Sequence, residues 1–143
     1  MQNYYSEEWK GYLEGSLQSL LLMNPVLYKT ITPSQLPEKS GVYLISEIQG
    51  QSEIALYVGR SKNLRERLYR QHLMGNTTSA RLKKYMINDV NHSCHGDVKA
   101  AKKYIQDHCQ VRWFLESDTR KRGALEGFFT AKFFPDYGIA EEH

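Results

Sequence analysis

The chain has 143 residues, of which 41% are hydrophobic and 12% aromatic, a composition that fits one folded domain and excludes a disordered chain. No apolar run approaches the roughly 20 residues of a membrane span. The start of the chain carries acids and lacks the basic and then apolar pattern of a secretory signal. Two cysteines are too few for a disulfide framework, so we expect a cytoplasmic protein that does not enter a membrane.

Positive charge is concentrated in the body of the chain. The net charge is +3, but residues 38–138 contain 17 Lys and Arg against 11 Asp and Glu. Within them, residues 60–70 contain five basic residues and one acid. Such clusters are typical of proteins that bind a polyanion, with a solvated surface as the alternative interpretation.

The N-terminal segment predicts one amphipathic helix and a connector. Residues 6–23 place tryptophan, tyrosine and leucine side chains at helical spacing, although Gly11 and Gly15 weaken the pattern. Three prolines within residues 24–40 predict a connector. We expect the apolar stripe of the helix to pack on the rest of the protein, or to mediate contact with a second copy or a partner protein.

The middle of the chain predicts a β-hairpin. Two strand-like runs, residues 41–48 and 53–59, flank the turn sequence at 49–52. Asn63, followed three residues later by Glu66, resembles a capping box and predicts a helix from about Leu64.

Further helices and one more strand are predicted downstream. Residues 110–116 are dense in aromatic and β-branched side chains, which favours a strand. Three residues are predicted to cap further helices: Ser79, Asp97 and Asp118. The order helix, hairpin, helices, strand, helix predicts an α+β domain with a small three-stranded antiparallel sheet flanked by helices.

Four residues form a candidate constellation. Tyr43 and Tyr57 occupy matching places on the two hairpin strands, and adjacent antiparallel strands can bring such side chains together. Arg67 lies about one helical turn after Leu64, and Glu126 lies in the last helix. Taken singly, a strand tyrosine usually packs a half-exposed face, and a lone helical glutamate usually faces solvent.

Together with their flanking motifs, these residues resemble the GIY-YIG nuclease superfamily, and most of all the nuclease module at the N-terminus of the excision-repair subunit. The similarity predicts a nuclease domain at residues 36–143 and an N-terminal helical extension at 1–35. The motifs that carry it are "GVY" at 41–43, "YVGRSKNLRERL" at 57–68, "ALEGFF" at 124–129 and "FPDYG" at 134–138.

The resemblance implies metal-dependent hydrolysis of phosphodiester bonds in DNA, with RNA as an open alternative. Tyr43 and Tyr57 correspond to the paired tyrosines, Arg67 to the catalytic arginine and Glu126 to the glutamate that holds Mg²⁺ or Mn²⁺. The family serves repair, restriction, intron homing and mobile elements. Basic residues of the central motif are expected to bind nucleic acid: Arg60, Lys62, Arg65, Arg70 and His72.

Elementary chemistry agrees with these roles. One carboxylate can hold Mg²⁺, because this ion keeps most of its waters, and Arg67 offers planar donors to a phosphate or to the attacking water. Tyrosine is a poor base at its usual pKa of about 10, unless nearby cations favour the phenolate. We favour Tyr57 as the base, and Gly59 would allow the substrate to approach closely.

Two positions depart from the pattern of the family. Gly138 replaces the asparagine of the usual P-x-Y-N ending, which we expect to loosen the final loop near the metal. Gln71 stands where His or Tyr is common, with His72 beside it, so the auxiliary proton carrier stays open.

Other interpretations compete with the nuclease. A non-catalytic nucleic-acid-binding module could keep the fold, and the N-terminal helix could make the chain an interaction protein. A "HSCH" stretch at 92–95 raises the idea of a zinc site, although its spacing fits no common zinc pattern.

Overall fold

The computed structural model describes residues 6–71 and 81–139. Four helices lie in this part of the chain: α1 (Glu7–Leu22), α2 (Arg81–Asn88), α3 (Val98–His108) and α4 (Thr119–Phe133). The strands are β1 (Val26–Leu27), β2 (Gly41–Gln49), β3 (Ser52–Ser61) and β4 (Cys109–Leu115).

The strands form one antiparallel sheet in the order β1-β4-β2-β3, which confirms the α+β class. The predicted hairpin is β2 and β3, and the third predicted strand is β4. The sheet gains a fourth strand, β1, from the segment predicted as a connector. It pairs only Val26 with Val111 and Leu27 with Gln110, and two residues are too few to produce an alternating pattern.

The central strand β2 is buried on both faces and separates two apolar clusters. Tyr43 and Ile45 point into one cluster, which we call the α2/α3 cluster because residues of those helices complete it. Val42 and Leu44 point into the other, the α1/α4 cluster. The two-residue alternation of a strand therefore decides which side chains face which layer.

The predicted helix starts are present where the structure describes them. Asp97 accepts hydrogen bonds from two backbone N–H groups at the start of α3, and Asp118 accepts one at the start of α4. A helical turn begins at Leu64, and its backbone widens into a π-helical turn at Glu66–Gln71. The predicted cap at Ser79 lies outside the described residues.

The capping box after β3 forms only in part. The Asn63 side chain accepts a hydrogen bond from the Glu66 N–H, as predicted. The return bond is absent, because Asn63 N–H donates to the Ser61 hydroxyl while the Glu66 carboxylate pairs with Arg70 at 3.4 Å.

Helix α1 packs on the body of the protein. Leu17 and Leu20 are buried in the α1/α4 cluster. At the other end of the helix, the Tyr12 hydroxyl donates to Glu116, and Lys121 lies 5.2 Å above the Tyr12 ring. This confirms packing on the body, while contact with a second copy or a partner stays a prediction. Among the described helices, none is both long and apolar enough to cross a membrane.

Truncation of Leu20 tests the contribution of α1. Leu20 is fully buried, so Leu20→Ala should lower the free energy of unfolding by about 2–5 kcal/mol. Leu22→Ala is the matched control, because Leu22 is 80% exposed and its truncation should change stability by no more than about 0.5 kcal/mol. Urea unfolding of both variants measures the difference, and equal midpoints would show that α1 adds little to the fold.

Candidate active site at the edge of strand β3

The two tyrosines meet through the register of the hairpin. Tyr43 of β2 pairs with Gly59 of β3, which places Tyr57 diagonally opposite Tyr43 on the same face. Their ring centroids lie 6.1 Å apart. A side chain at Gly59 would overlap the Tyr43 hydroxyl and would approach the Tyr57 ring to 2.9 Å. Glycine is therefore required at this position.

A β-bulge lies beside Tyr57. Ile45 pairs with Tyr57 and the next residue, Ser46, pairs with Ala55, so Leu56 is the extra residue in β3. Such bulges re-aim neighbouring side chains and bend the strand. The bulge therefore sets the direction of Tyr57 at the open edge of the sheet.

Arg67 connects the two tyrosines. Its Nε donates to the Tyr43 hydroxyl over 3.3 Å, and its side chain also hydrogen-bonds Tyr57. Burial alone would lower the pKa of Arg67, but the hydroxyls of Tyr43 and Tyr57 outweigh this effect and raise it. The guanidinium is therefore held as a fixed cation between the two phenols.

Tyr43 is held as a neutral phenol. It is fully buried, and burial followed by the proximity of Tyr57 raises its pKa far above the ordinary value, against the opposing effect of Arg67. At neutral pH its hydroxyl therefore acts as a hydrogen-bonding group that orients Arg67.

Tyr57 also lines an open groove of about 480 Å³ between β3 and α4. Glu126 of α4 and Arg81 of α2 line the same groove, and Glu126 is the only acid among its described lining residues. The Glu126 carboxylate lies 3.8 Å from the Arg60 Nε, with 35% and 49% of the two side chains exposed. Tyr57 is thus common to the tyrosine–arginine cluster and to the groove that holds Glu126.

The C-terminal segment forms another wall of the groove and is bonded to β3. Asp136 N–H donates to the Ala55 carbonyl over 3.1 Å, and Tyr137 N–H to the Leu56 carbonyl over 2.9 Å. The Tyr137 hydroxyl donates to Asp89 over 2.6 Å. These bonds hold the segment against β3, while the loosening expected from Gly138 stays a prediction.

Gly138 itself lies against Tyr57. Its φ is +90°, and a Cβ there would stand 2.9–3.0 Å from the Tyr57 ring. An asparagine at this position would require both a strained backbone and displacement of the ring. Glycine in place of the family's asparagine is therefore the residue that packing against Tyr57 permits.

Sequence reasoning missed several residues around Tyr57. The Tyr85 ring lies 6.3 Å from that of Tyr57 and 6.2 Å from that of Tyr137, which completes a row of aromatic rings. Arg81 lines the groove but belongs to no motif, and Phe134 lines it from the first position of the "FPDYG" motif, where sequence reasoning assigned it no role. The basic run that begins at Arg81 is one of the clusters for which the sequence leaves both polyanion binding and a solvated surface open.

The residues predicted to bind nucleic acid are dispersed. Lys62 is exposed in the loop after β3, and Arg70 is exposed beside its partner Glu66. Arg65 donates to the Leu36 carbonyl and pairs with Glu38 at 2.9 Å, contacts that attach the π-helical turn to the connector. His72 lies outside the described residues, as does the side chain of Gln71.

Metal-binding potential at the site rests on one carboxylate. Within residues 6–71 and 81–139, no three His, Cys, Asp or Glu side chains come together as a metal-binding group. In the "HSCH" stretch, Cys94 Sγ lies 2.7 Å from His92 Nδ1. Glu126 would therefore hold a cation largely through the cation's own waters, an arrangement that Mg²⁺ accepts.

A family of known proteins matches most of the chain. The family described as "GIY-YIG catalytic domain" matches residues 39–133, more than half of the chain. No curated protein matches closely enough to count as a relative.

Solved structures of the GIY-YIG N-terminal endonuclease domain of UvrC from Thermotoga maritima are similar to this chain. One point mutant, bound to its catalytic divalent cation, shares 17% identity with a TM-score of 0.40, covering 89% of this chain and 98% of that one. A second mutant shares 18% identity with a TM-score of 0.38, at the same coverage. On the match over residues 39–133, the chain belongs to the GIY-YIG catalytic domain family.

Proposed function

We propose that the protein is a metal-dependent endonuclease that hydrolyses phosphodiester bonds in DNA. Residues 36–143 would form the nuclease domain and residues 1–35 its N-terminal extension. The observation that carries the proposal is the placement of Tyr57, which contacts Arg67 and shares a groove with Glu126. A cytoplasmic location and a role in DNA repair are part of the proposal, the latter on the sequence motifs alone.

Glu126 would hold the cation. It is the one acid among the described lining residues, and its side chain is partly exposed to the groove. Its pairing with Arg60 is long and exposed, so separating the two charges costs about 1 kcal/mol or less. A bound Mg²⁺ or Mn²⁺ supplies Lewis-acid stabilisation of charge on the phosphoryl oxygens.

Tyr57 would act as the general base. In hydrolysis the water oxygen would form a bond to phosphorus while the water proton passes to the Tyr57 phenolate. The bond to the leaving sugar oxygen would break, and that oxygen would take a proton from solvent. Tyr57 lines the groove although only 5% of the residue is exposed, whereas Tyr43 is not among the described lining residues and is held neutral. Arg67, held by both hydroxyls, would stabilise the phenolate and the developing charge on the phosphate.

The alternative is a non-catalytic module that binds nucleic acid. One observation favours it: the Arg60 guanidinium already neutralises the Glu126 carboxylate. Binding alone, however, gives no reason to place an acid in a groove lined by Arg81. The nuclease therefore accounts for more of the site.

Substitution of Glu126 separates catalysis from binding. Glu126→Gln keeps size and polarity but removes the anionic metal ligand, so nicking of supercoiled plasmid with Mg²⁺ or Mn²⁺ should fall at least about 100-fold. Binding should persist, because phosphate contacts by basic residues supply most of the affinity. Glu14→Gln, which removes the same charge from an exposed face of α1, is the control and should cut normally. Wild-type cleavage by Glu126→Gln would refute the metal assignment.

Removal of single hydroxyls tests the two tyrosines. Tyr57→Phe should lower the cleavage rate by about 10²–10⁴, the contribution of a positioned acid–base group. Tyr43→Phe should lower it less, because the variant loses only an acceptor for Arg67. Tyr12→Phe is the matched control, since this hydroxyl donates to Glu116 and the ring packs against the α1/α4 cluster on the other face of the sheet. It should cost about 1 kcal/mol of stability and leave cleavage intact. A larger loss of cleavage rate in Tyr43→Phe than in Tyr57→Phe would assign the base role to Tyr43.

Salt titrations test whether Arg60 contacts phosphate. The logarithm of the association constant should fall linearly with the logarithm of salt concentration, because each contact releases counterions. Arg60→Gln should reduce this slope by about one unit. Lys10→Gln is the control, because Lys10 has a similarly long pairing, 3.9 Å from Glu7, on α1. An unchanged slope for Arg60→Gln would mean that Arg60 serves only Glu126.

A further inference from the structure

Phe134 is an aromatic side chain left 78% exposed at the C-terminal end of α4. It lines the same groove as Tyr57 and Glu126. A single exposed apolar side chain needs no explanation on a protein surface. Phe134 differs from the other exposed apolar residues in its backbone conformation.

The backbone of Phe134 is left-handed, with φ 45° and ψ 62°. Within the described part of the chain, it is the only non-glycine residue with a positive φ. Such a conformation costs a non-glycine residue about 1–2 kcal/mol, and helices that end this way usually place glycine or asparagine there. Since the ring is exposed, packing does not offset the strain, and folding alone gives no reason for an aromatic residue here.

The position of Phe134 is fixed from both sides. Its N–H donates to the Thr130 carbonyl over 2.9 Å, and the two following backbone bonds attach Asp136 and Tyr137 to β3. A strained residue persists only where its surroundings determine its conformation, and such residues concentrate at functional sites. The ring is therefore held in place by the C-terminal segment, which is bonded to β3, the strand that carries Tyr57.

The groove lining places Phe134 about two helical turns from Glu126. Glu126, Thr130 and Phe134 follow one another at four-residue spacing, and all three line the groove. Eight residues correspond to about 12 Å along a helix axis. A nucleic-acid strand with a phosphate at Glu126 and its backbone beside Arg81 would carry a neighbouring base past Phe134.

We propose that Phe134 is a stacking platform for a nucleobase next to the scissile phosphate, and that the enzyme therefore prefers strands in which this base is unstacked. The inference rests on the proposed function and adds the substrate class. Aromatic stacking accepts any base, because every base has a π-face. In a paired duplex both faces of a base are covered by its neighbours, so the ring selects single strands or mismatched sites.

The test measures binding by the full chain carrying Glu126→Gln, which prevents cleavage. The probes are oligonucleotides with a fluorescent adenine analogue that stacking quenches, used single-stranded, in a duplex mismatch and in a fully paired duplex. Phe134→Asn removes the ring while suiting a left-handed backbone, Phe134→Leu keeps apolar bulk, and Phe134→Tyr keeps the ring. Leu22→Ala removes an equally exposed apolar side chain from the end of α1, on the side of the sheet nearer β4.

We expect Phe134→Asn and Phe134→Leu to weaken binding of the single-stranded or the mismatched probe by roughly 5- to 100-fold, with loss of quenching. The single-stranded and mismatch arms show which of these substrates the ring selects. The paired duplex should change by less than about twofold, and Phe134→Tyr and Leu22→Ala should bind normally. Phe134→Asn should unfold at the same Tm or higher, because it relieves strain.

Equal loss on all three probes, full binding by Phe134→Leu, or a lower Tm for Phe134→Asn would overturn the stacking role. Cleavage by the protein with native Glu126 separates this proposal from the proposed function. Normal nicking by Phe134→Asn on every substrate would remove the stacking role but leave the nuclease. An inactive wild-type chain in which Phe134 still quenches the probe would remove the nuclease but leave the stacking role.

Discussion

Tyr43 reaches Arg67 only because Gly59, its partner in the β2–β3 register, has no side chain. The Tyr43 hydroxyl occupies the space that a Cβ of residue 59 would take, and the Tyr57 ring lies against the same point. This close approach lets a buried phenol of the central strand contact a cation outside the sheet. The arrangement of Tyr57 and Arg67 depends on it, and any side chain at 59 would displace both phenols.

The same approach divides the two tyrosines by environment. Both belong to the α2/α3 cluster, and burial raises the pKa of Tyr43 so far that it stays protonated. Tyr57 lies on the edge strand, where a β-bulge turns it toward the groove and a glycine wall at residue 138 packs on its ring. Two chemically identical side chains can therefore have different surroundings, one orienting Arg67 and the other also lining the groove.

Much of this arrangement could be predicted from the sequence, because it is encoded locally. The hairpin follows from alternation and a turn, and helix starts follow from capping residues such as Asp97 and Asp118. Tyr43 and Tyr57 could be placed together because strand pairing is regular. Local patterns do not reveal which residues meet across the fold.

The unpredicted features arise from contacts between distant segments. Strand β1 is defined by its pairing with β4, more than 80 residues later. The importance of Gly138 depends on a ring that precedes it by 81 positions, and Arg81 joins the groove through the docking of α2. Arg65 belongs to a motif that suggested phosphate binding, yet its partners are Leu36 and Glu38. Residue type and spacing suggested phosphodiester chemistry. Tertiary packing decided which basic side chains make structural contacts instead, as Arg65 does.

The charge distribution at the groove follows from this selection. Arg81 lines the groove together with Glu126, and the Arg60 Nε lies 3.8 Å from that carboxylate, so two guanidinium groups lie near one carboxylate. Positive charge at a concave surface attracts a phosphate backbone and holds it there. A lone acid in that setting would repel the phosphate unless a cation accompanied it. The arrangement is therefore most favourable when phosphate and divalent cation occupy the groove together, which is the combination that phosphodiester hydrolysis requires.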